Sequence, residues 1–459
     1  MQRIVRSITA ALVGWAVLAM PAAALTYAER VREQVLPNGL KLLLLEDHKA
    51  PVAVYQIWYR VGSRNEELGR TGLSHLLEHM MFKGTHKVAP EEYSKIIQRN
   101  GGNTNAFTGE DSTTYFATLA SDRIGVVNDL EADRMADLIL KDDSFTPERQ
   151  VVMEERRLRT EDSPVSALFE LISATAFTAH PYGWPVIGWM DDIRQATLED
   201  LTRHYKTYYA PNNAFIVAVG DFNAEQLAAQ IAKAFEAIPA GGAPPEVRSV
   251  EPAQQGERRA VLRREAQLPF IGIAYHVPNL HDDDAPALDV LESVLSGGRS
   301  ARLHQELVYG KRLTRDVGAD YSYTSRDPGL FVLYAQPLPG KKTADIEAAL
   351  LAEVKKIQSK RPTDHEMTKA KNRTEAAFVF GQDSGFFQAL SLGQYEVAGD
   401  WRAIDRYLPA IRAVTADDVQ RVATRYLTAD NRTVGMLDPL PPKPGRRVAP
   451  SAPPPGMVR

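Results

Sequence analysis

The apolar and polar positions of this chain fall into signatures that occur twice. Residues 50–66, "APVAVYQIWYRVGSRNE", read as an apolar strand followed by a polar loop, with an apolar helix to come. Residues 268–284, "LPFIGIAYHVPNLHDDD", read the same way. Residues 197–213, "TLEDLTRHYKTYYAPNN", open with a threonine cap and first-turn acids, then pass through a Tyr and an Asn turn into the β-rich "AFIVAVGD". Residues 415–431, "TADDVQRVATRYLTADN", repeat that order and lead into "RTVGMLD".

The two pairs share one offset. Thr197 matches Thr415, Asp200 matches Asp418, Tyr208 matches Tyr426 and Asn213 matches Asn431, each 218 residues apart, and Pro51 and Pro269 keep that spacing far upstream. Two generic helix–strand units would not hold register across a domain length, so the pattern predicts an internal duplication into two α+β halves. Their expected limits are 30–238 and 259–438. Between them, 239–258 is rich in Pro, Gly and Gln, which is linker composition. The 439–459 stretch, "PLPPKPGRRVAPSAPPPGMVR", is too proline-rich to pack and reads as a disordered tail.

Composition changes this picture at the N-terminus. Arg3 and Arg6 precede an apolar run from Ile8 to Met20 and the small residues "PAAA", which reads as a secretory signal peptide over 1–24, cut near Ala24. The alternative, an uncleaved anchor, is disfavoured because the run is short and no long apolar span follows. Losing two arginines takes the formal charge from −4 to −6, which argues against nucleic-acid binding. There is no cysteine, so an exported chain of this kind depends on its core rather than on disulfides. The expected location is exported and periplasmic, with no membrane anchor after cleavage.

Candidate chemistry lies in "TGLSHLLEHMMFKGT" (71–85). On a helical wheel Leu73, Leu76, Leu77, Met80 and Met81 share one side, and His75, Glu78 and His79 share the other. Thr71 is the expected cap, and the helix is expected to loosen near Lys83-Gly84. Histidines four apart can share a metal, and zinc suits two imidazoles. Glu78 is then placed to act as general base toward the attacking water. The bland alternative is an exposed polar face with incidental histidines. A third ligand is expected in "TPERQVVMEERRLRTED" (146–162), a helix starting at Thr146-Pro147. Val151, Val152 and Leu158 set its apolar arc, Glu155 sits mid-arc, Glu148 lies within it and Glu154 at its edge. A carboxylate on a buried face needs a partner. Glu155 is the predicted ligand, with Glu148 as its support or as an alternative ligand. Pairing of Glu155 with Arg156 or Arg159 competes with that reading.

His75-Leu-Leu-Glu78-His79 with a downstream Glu155 resembles the inverted zinc motif of the pitrilysin/insulinase family of metallopeptidases, in its processing-peptidase-like branch. "LPNGLKLLLLED", "NTNAFTGEDSTTYF" (103–116), "HPYGWPVIGW" and "SGGRSARLHQEL" fit as well, so the resemblance covers about 35–438. It implies two homologous α/β-sandwich halves, each a mostly antiparallel sheet with helices packed on it. It also implies one zinc per chain on His75, His79 and Glu155, Glu78 as the catalytic base, and substrate backbone pairing along Asn105, Ala106, Phe107 and Thr108. By composition alone, Asn105 reads equally well as a turn residue.

The chain departs from that pattern in its second half. At the 218 offset the motif falls on Ser293, Ser296 and Gly297, which cannot rebuild the site. An Arg and a Tyr that active members bring from the half facing the zinc are replaced by Val308 and Arg315, with Tyr309, Tyr321 and Tyr323 nearby. The resemblance therefore implies a zinc endopeptidase for short or unfolded peptides in a closed chamber. It would be the zinc subunit of a heterodimer whose paralogue supplies Arg and Tyr. A homodimer or monomer using Tyr321 or Tyr323 is the alternative, and a non-catalytic structural or peptide-binding subunit is the rival function.

Overall fold

The computed structural model describes residues 26–441; the expected signal peptide and all but the first three residues of the expected tail lie outside them. Eleven strands form two sheets. The first holds β1 (Val31–Val35), β2 (Lys41–Glu46), β3 (Val52–Tyr59), β4 (Asn103–Thr108), β5 (Thr113–Ala120) and β6 (Ala214–Gly220), in the order β1-β2-β6-β3-β5-β4. The second holds β7 (Arg258–Glu265), β8 (Phe270–Val277), β9 (Thr314–Tyr321), β10 (Gly329–Pro337) and β11 (Arg432–Leu440), in the order β7-β11-β8-β10-β9. Each has one parallel pair, β2 with β6 and β7 with β11; the other neighbours are antiparallel.

The duplication is visible in the fold. β3 displaced by 218 lands on β8, and helix Leu198–Tyr208 lands on helix Ala416–Tyr426. The caps also repeat, with the Thr197 and Thr415 hydroxyls each accepting an N–H three residues on, at 3.1 Å. The sheet orders are the same apart from the extra edge strand β1. β7 begins at Arg258, one residue inside the expected linker, and β11 runs two residues into the expected tail. Pro439 is tolerated there because pairing with β8 stops at Leu437, leaving β11 one neighbour.

Both faces of each sheet are apolar, and each half covers only one of its own. Leu42, Leu44, Tyr55 and Ile57 face helices of the first half, whereas Leu43, Leu45, Val54 and Trp58 join the core of the second. Helix Gly385–Ala398 of the second half lies against β3 and β6. In return, helix Pro164–Ala176 of the first half sends Val165, Leu168 and Ile172 against Phe270, Ala274 and Leu437 of the second sheet. At the 218 offset these two helices overlap, so the exchange is reciprocal. Glycines make room for it. A Cβ on Gly435 would lie 2.3 Å from Ile172 Cγ1, and one on Gly393 would lie 2.2 Å from the Trp58 ring. Buried Glu396 adds a polar latch, accepting from Lys41 Nζ and Arg60 Nη2, each at 2.6 Å.

The Gly393 contact gives a direct test. Gly393→Ala forces a methyl into Trp58 and is expected to destabilise the chain by about 1–3 kcal/mol, as overpacking does. Denaturant unfolding measures it, and an unchanged midpoint would mean that Trp58 is not held at this interface.

Candidate metal centre

The metal-motif helix runs Leu73–Met80, and its apolar side is buried as the wheel predicts: Leu73, Leu76, Leu77, Met80 and Met81 pack into the first half's core. Its start differs from expectation. Gly72 stands at the cap with φ 87°, where a Cβ would meet Ile187 O at 2.5 Å. The carboxylate of Glu66 takes the free N–H groups of Gly72 and Ser74 at 2.6 and 2.7 Å. Thr71 instead donates its hydroxyl to Asp192 at 2.7 Å. An acid at a helix N-terminus satisfies orphan donors and favours the dipole, which fixes where His75, Glu78 and His79 point.

The Glu155 helix also departs from its expected form. It spans Asp142–Arg156, beginning one turn before Thr146-Pro147, so Pro147 is internal. Beyond Arg156 it widens into a π turn over Arg157–Glu161. That shift of phase leaves Leu158 70% exposed, and Val151 is 49% exposed; the buried face is Phe145, Glu148, Val152, Met153 and Arg156. Glu155 lies at the edge of that face, half-buried rather than central.

His75, His79 and Glu155 are brought together all the same. One ligand atom from each lies within 4.8 Å of the others, the one such group among the described residues. Glu155 Oε2 is 3.3 Å from His79 Nε2 and 3.8 Å from His75 Nε2. Tetrahedral zinc with ligand bonds of about 2.0–2.2 Å spaces its ligand atoms by roughly 3.3–3.6 Å. The His79–Glu155 separation falls in that range and the His75–Glu155 separation is slightly wider, so this donor set of two imidazole nitrogens and a carboxylate oxygen suits the ion with a small adjustment.

Supports stand behind each ligand. Glu148 Oε1 bonds His79 Nδ1 at 2.8 Å, which turns Nε2 toward the ligand group. Glu148 is thus bound to the far side of the ring and is not a member of that group. Its other oxygen takes Lys83 Nζ at 2.8 Å, a contact with no sequence signal. Arg159 holds Glu155 Oε1 at 2.5 Å, so the competing ion pair exists while Oε2 faces the two histidines, whereas Arg156 pairs with Glu170 at 2.9 Å. Burial opposes charge on His79, but Glu148 and Glu155 outweigh it and push the ring up to about 9. Burial and the neighbouring His79 push His75 down. Hydrogen bonding from His79 lowers Glu155. A divalent ion here competes with the proton on His79.

Glu78 is half-buried on the same helix face, and burial raises its pKa against the opposing pull of Thr108 and His79. The Thr108 hydroxyl donates to Glu78 Oε2 at 2.5 Å. Thr108 ends β4, the outermost strand of its sheet, so Asn105 is a strand residue and not a turn. Its side-chain oxygen accepts from the Ala106 N–H at 2.9 Å, and Phe107 packs edge-on against Trp58 at 5.8 Å. All four residues, Asn105 to Thr108, line one cavity of about 880 Å³ with the ligand group. Phe169, Ile172 and Phe177 form an apolar wall, and Leu330 and Val332 of the second half close it. A latch joins the halves at its end: Asp111 accepts from Tyr182 Oη at 2.8 Å and from the Arg326 N–H at 3.0 Å, and Arg64 pairs with Asp327.

Val308, Arg315 and Tyr321 are not among the residues that line this cavity. Tyr321 donates to Pro278 O at 2.7 Å, and Tyr323 packs against Tyr407 and lines a different cavity. Neither tyrosine lines the cavity of the metal centre.

A duplicated α/β sandwich with a zinc-type ligand group in one half alone is the peptidase architecture that the motif resemblance implies. The comparisons with known proteins give the same class. Residues 41–188 match the family profile described as insulinase (peptidase family M16), and residues 195–374 match the one described as the peptidase M16 inactive domain. The chain is 34% identical over 418 residues to the zinc protease PqqE of Helicobacter pylori, covering 90% of this chain and 94% of that one. It is 30% identical over 431 residues to an uncharacterized zinc protease of Streptomyces coelicolor, covering 91% and 92%. A crystal structure of a protease from Helicobacter pylori superposes with a TM-score of 0.87 at 34% identity, over 89% of this chain and all of that one. The chain belongs to peptidase family M16, the insulinase family.

Glu148→Gln is expected to weaken zinc binding by about 10–100-fold, because the orienting partner of His79 loses its charge. Competition with a chromogenic chelator reads the constant. Unchanged affinity would show that Glu148 does not orient the ring.

Proposed function

We propose that the chain is an exported zinc endopeptidase for short or unfolded peptides, and that it works as the zinc subunit of a heterodimer. The observation that carries this is the meeting of His75, His79 and Glu155 in one cavity with Glu78 and the open edge of β4. The described relatives named as zinc proteases favour it.

Zinc, when bound, supplies Lewis-acid polarisation of a carbonyl and acidifies water. His75, His79 and Glu155 would hold it. Glu78 takes the proton of the attacking water and passes it to the leaving amine, and the Thr108 hydroxyl keeps Glu78 Oε2 aimed along the cavity. Burial raises the affinity of Glu78 for that proton, which suits a group that must first accept and then donate it. An extended peptide adds to β4 through main-chain hydrogen bonds, so recognition tolerates many sequences.

The transition state of peptide hydrolysis also needs hydrogen-bond donors at the developing oxyanion, and losing one can cost on the order of 10²–10³ in rate. The cationic side chain nearest the ligands, Arg159, is engaged with Glu155. A paralogous subunit closing over the cavity would bring the missing Arg and Tyr and enclose the peptide.

Glu78→Gln is expected to retain one zinc by elemental analysis and to lose about 10²–10⁴-fold in peptide turnover, while a chelator abolishes turnover of the native protein. Turnover undiminished in Glu78→Gln would reject Glu78 as the base. The chain purified alone is expected to be weakly active and to gain activity when its paralogue is added. Full activity without a partner would reject the heterodimer.

A further inference from the structure

Displaced by 218 residues, the metal cavity falls on a second cavity of about 640 Å³ in the other half. Its walls correspond position by position. Ser293 stands for His75, Ser296 for Glu78, Gly297 for His79 and Arg373 for Glu155; Phe387 and Leu390 stand for Phe169 and Ile172. The duplication has kept the concavity and its apolar wall, and has exchanged every group of the metal centre.

What replaced them has a chemistry of its own. The cation sits where the first half has its ligand carboxylate. Arg373 is exposed to the cavity, and no hydrogen bond or ion pair engages it among the described residues. Gly298, at φ 94°, leaves the guanidinium its seat, since a Cβ there would come within 2.9 Å of Arg373 Nη1. Two acids also line the cavity, each taking a hydroxyl: Asp289 accepts from Tyr407, and Glu292 accepts from Ser296 Oγ at 2.9 Å. At the rim Phe380 is 71% exposed and Phe387 53% exposed, apolar surface that a solvated chain gains by covering.

The backbone narrows the choice of ligand. The edge strand that corresponds to β4 in the second sheet is β9, and none of its residues lines this cavity; Tyr323 and Thr324 reach it from the loop that follows. A chain lying in this cavity meets no strand edge to add to. A chain end needs none, because it brings a carboxylate and one side chain to a single point.

We propose that this second cavity is a non-catalytic binding site for the C-terminal residue of a peptide, with the α-carboxylate on Arg373 and an apolar terminal side chain against the Phe380 and Phe387 rim. It retains a peptide end on the enzyme away from the metal. Nothing in it depends on turnover, so it stands or falls apart from the peptidase reading.

The test uses the full chain, stripped of metal by a chelator so that cleavage cannot intervene. A tetrapeptide carrying fluorescein at its N-terminus and ending in phenylalanine with a free carboxylate is titrated and followed by fluorescence anisotropy. Saturable binding is expected, weakened about tenfold or more when the peptide is C-terminally amidated, and to the same degree by Arg373→Gln. Equal binding of acid and amide to the native protein, or no binding, overturns the proposal whether or not the variant folds. Loss with Arg159→Gln but not with Arg373→Gln would put the peptide in the first cavity and overturn it as well.

Discussion

A sheet that is apolar on both faces must be covered twice, and in this chain that need is met by exchange. Helix Pro164–Ala176 leaves the first half to cover the second sheet, and helix Gly385–Ala398 returns the arrangement. The halves are therefore not two beads on a linker. Neither sheet would be shielded from water without the other half, which couples their stabilities. The metal cavity inherits this dependence, because Phe169 and Ile172 of the exchanged helix form its wall and Leu330 and Val332 of the second sheet close it.

Within that frame the first half spends its rigidity on a few polar atoms. Five apolar side chains anchor one side of the motif helix, and Glu66 pins its start. His79 is then clamped by Glu148, itself held by Lys83, while Arg159 holds the outer oxygen of Glu155. Ligands whose orientation is fixed before the ion arrives lose less freedom on binding it. The second half keeps a cavity and its apolar wall but has exchanged the three ligands and the base, and the acids it retains at the places of Glu66 and Glu148, Asp284 and Glu366, are bound to arginines instead.

Much of this was legible in the residues. The 218 offset carried the duplication to the residue at β3 and β8 and at the Thr197 and Thr415 caps, because those caps and the strands after them use local rules. His75, Glu78 and His79 were legible because their spacing and the apolar residues between them act on one short helix. Glu155 follows from a buried arc that holds only in part: Val151 and Leu158 are both exposed, Leu158 beyond the point where the helix widens into a π turn. Helical phase is lost at such a turn, and no wheel drawn from sequence registers it. Glu66, Lys83 and the helix exchange were out of reach for another reason. They depend on which surfaces meet, and hydrophobic periodicity says that a face is buried without saying by what.

The central claim is that His75, His79 and Glu155 jointly hold one divalent ion. An anomalous difference map from crystals of the metal-loaded protein, collected across the zinc absorption edge, tests it most directly. One peak per chain is predicted, about 2.0–2.2 Å from His75 Nε2, His79 Nε2 and a Glu155 oxygen. A map with no peak there, or a peak that Glu155 does not touch, would contradict the account.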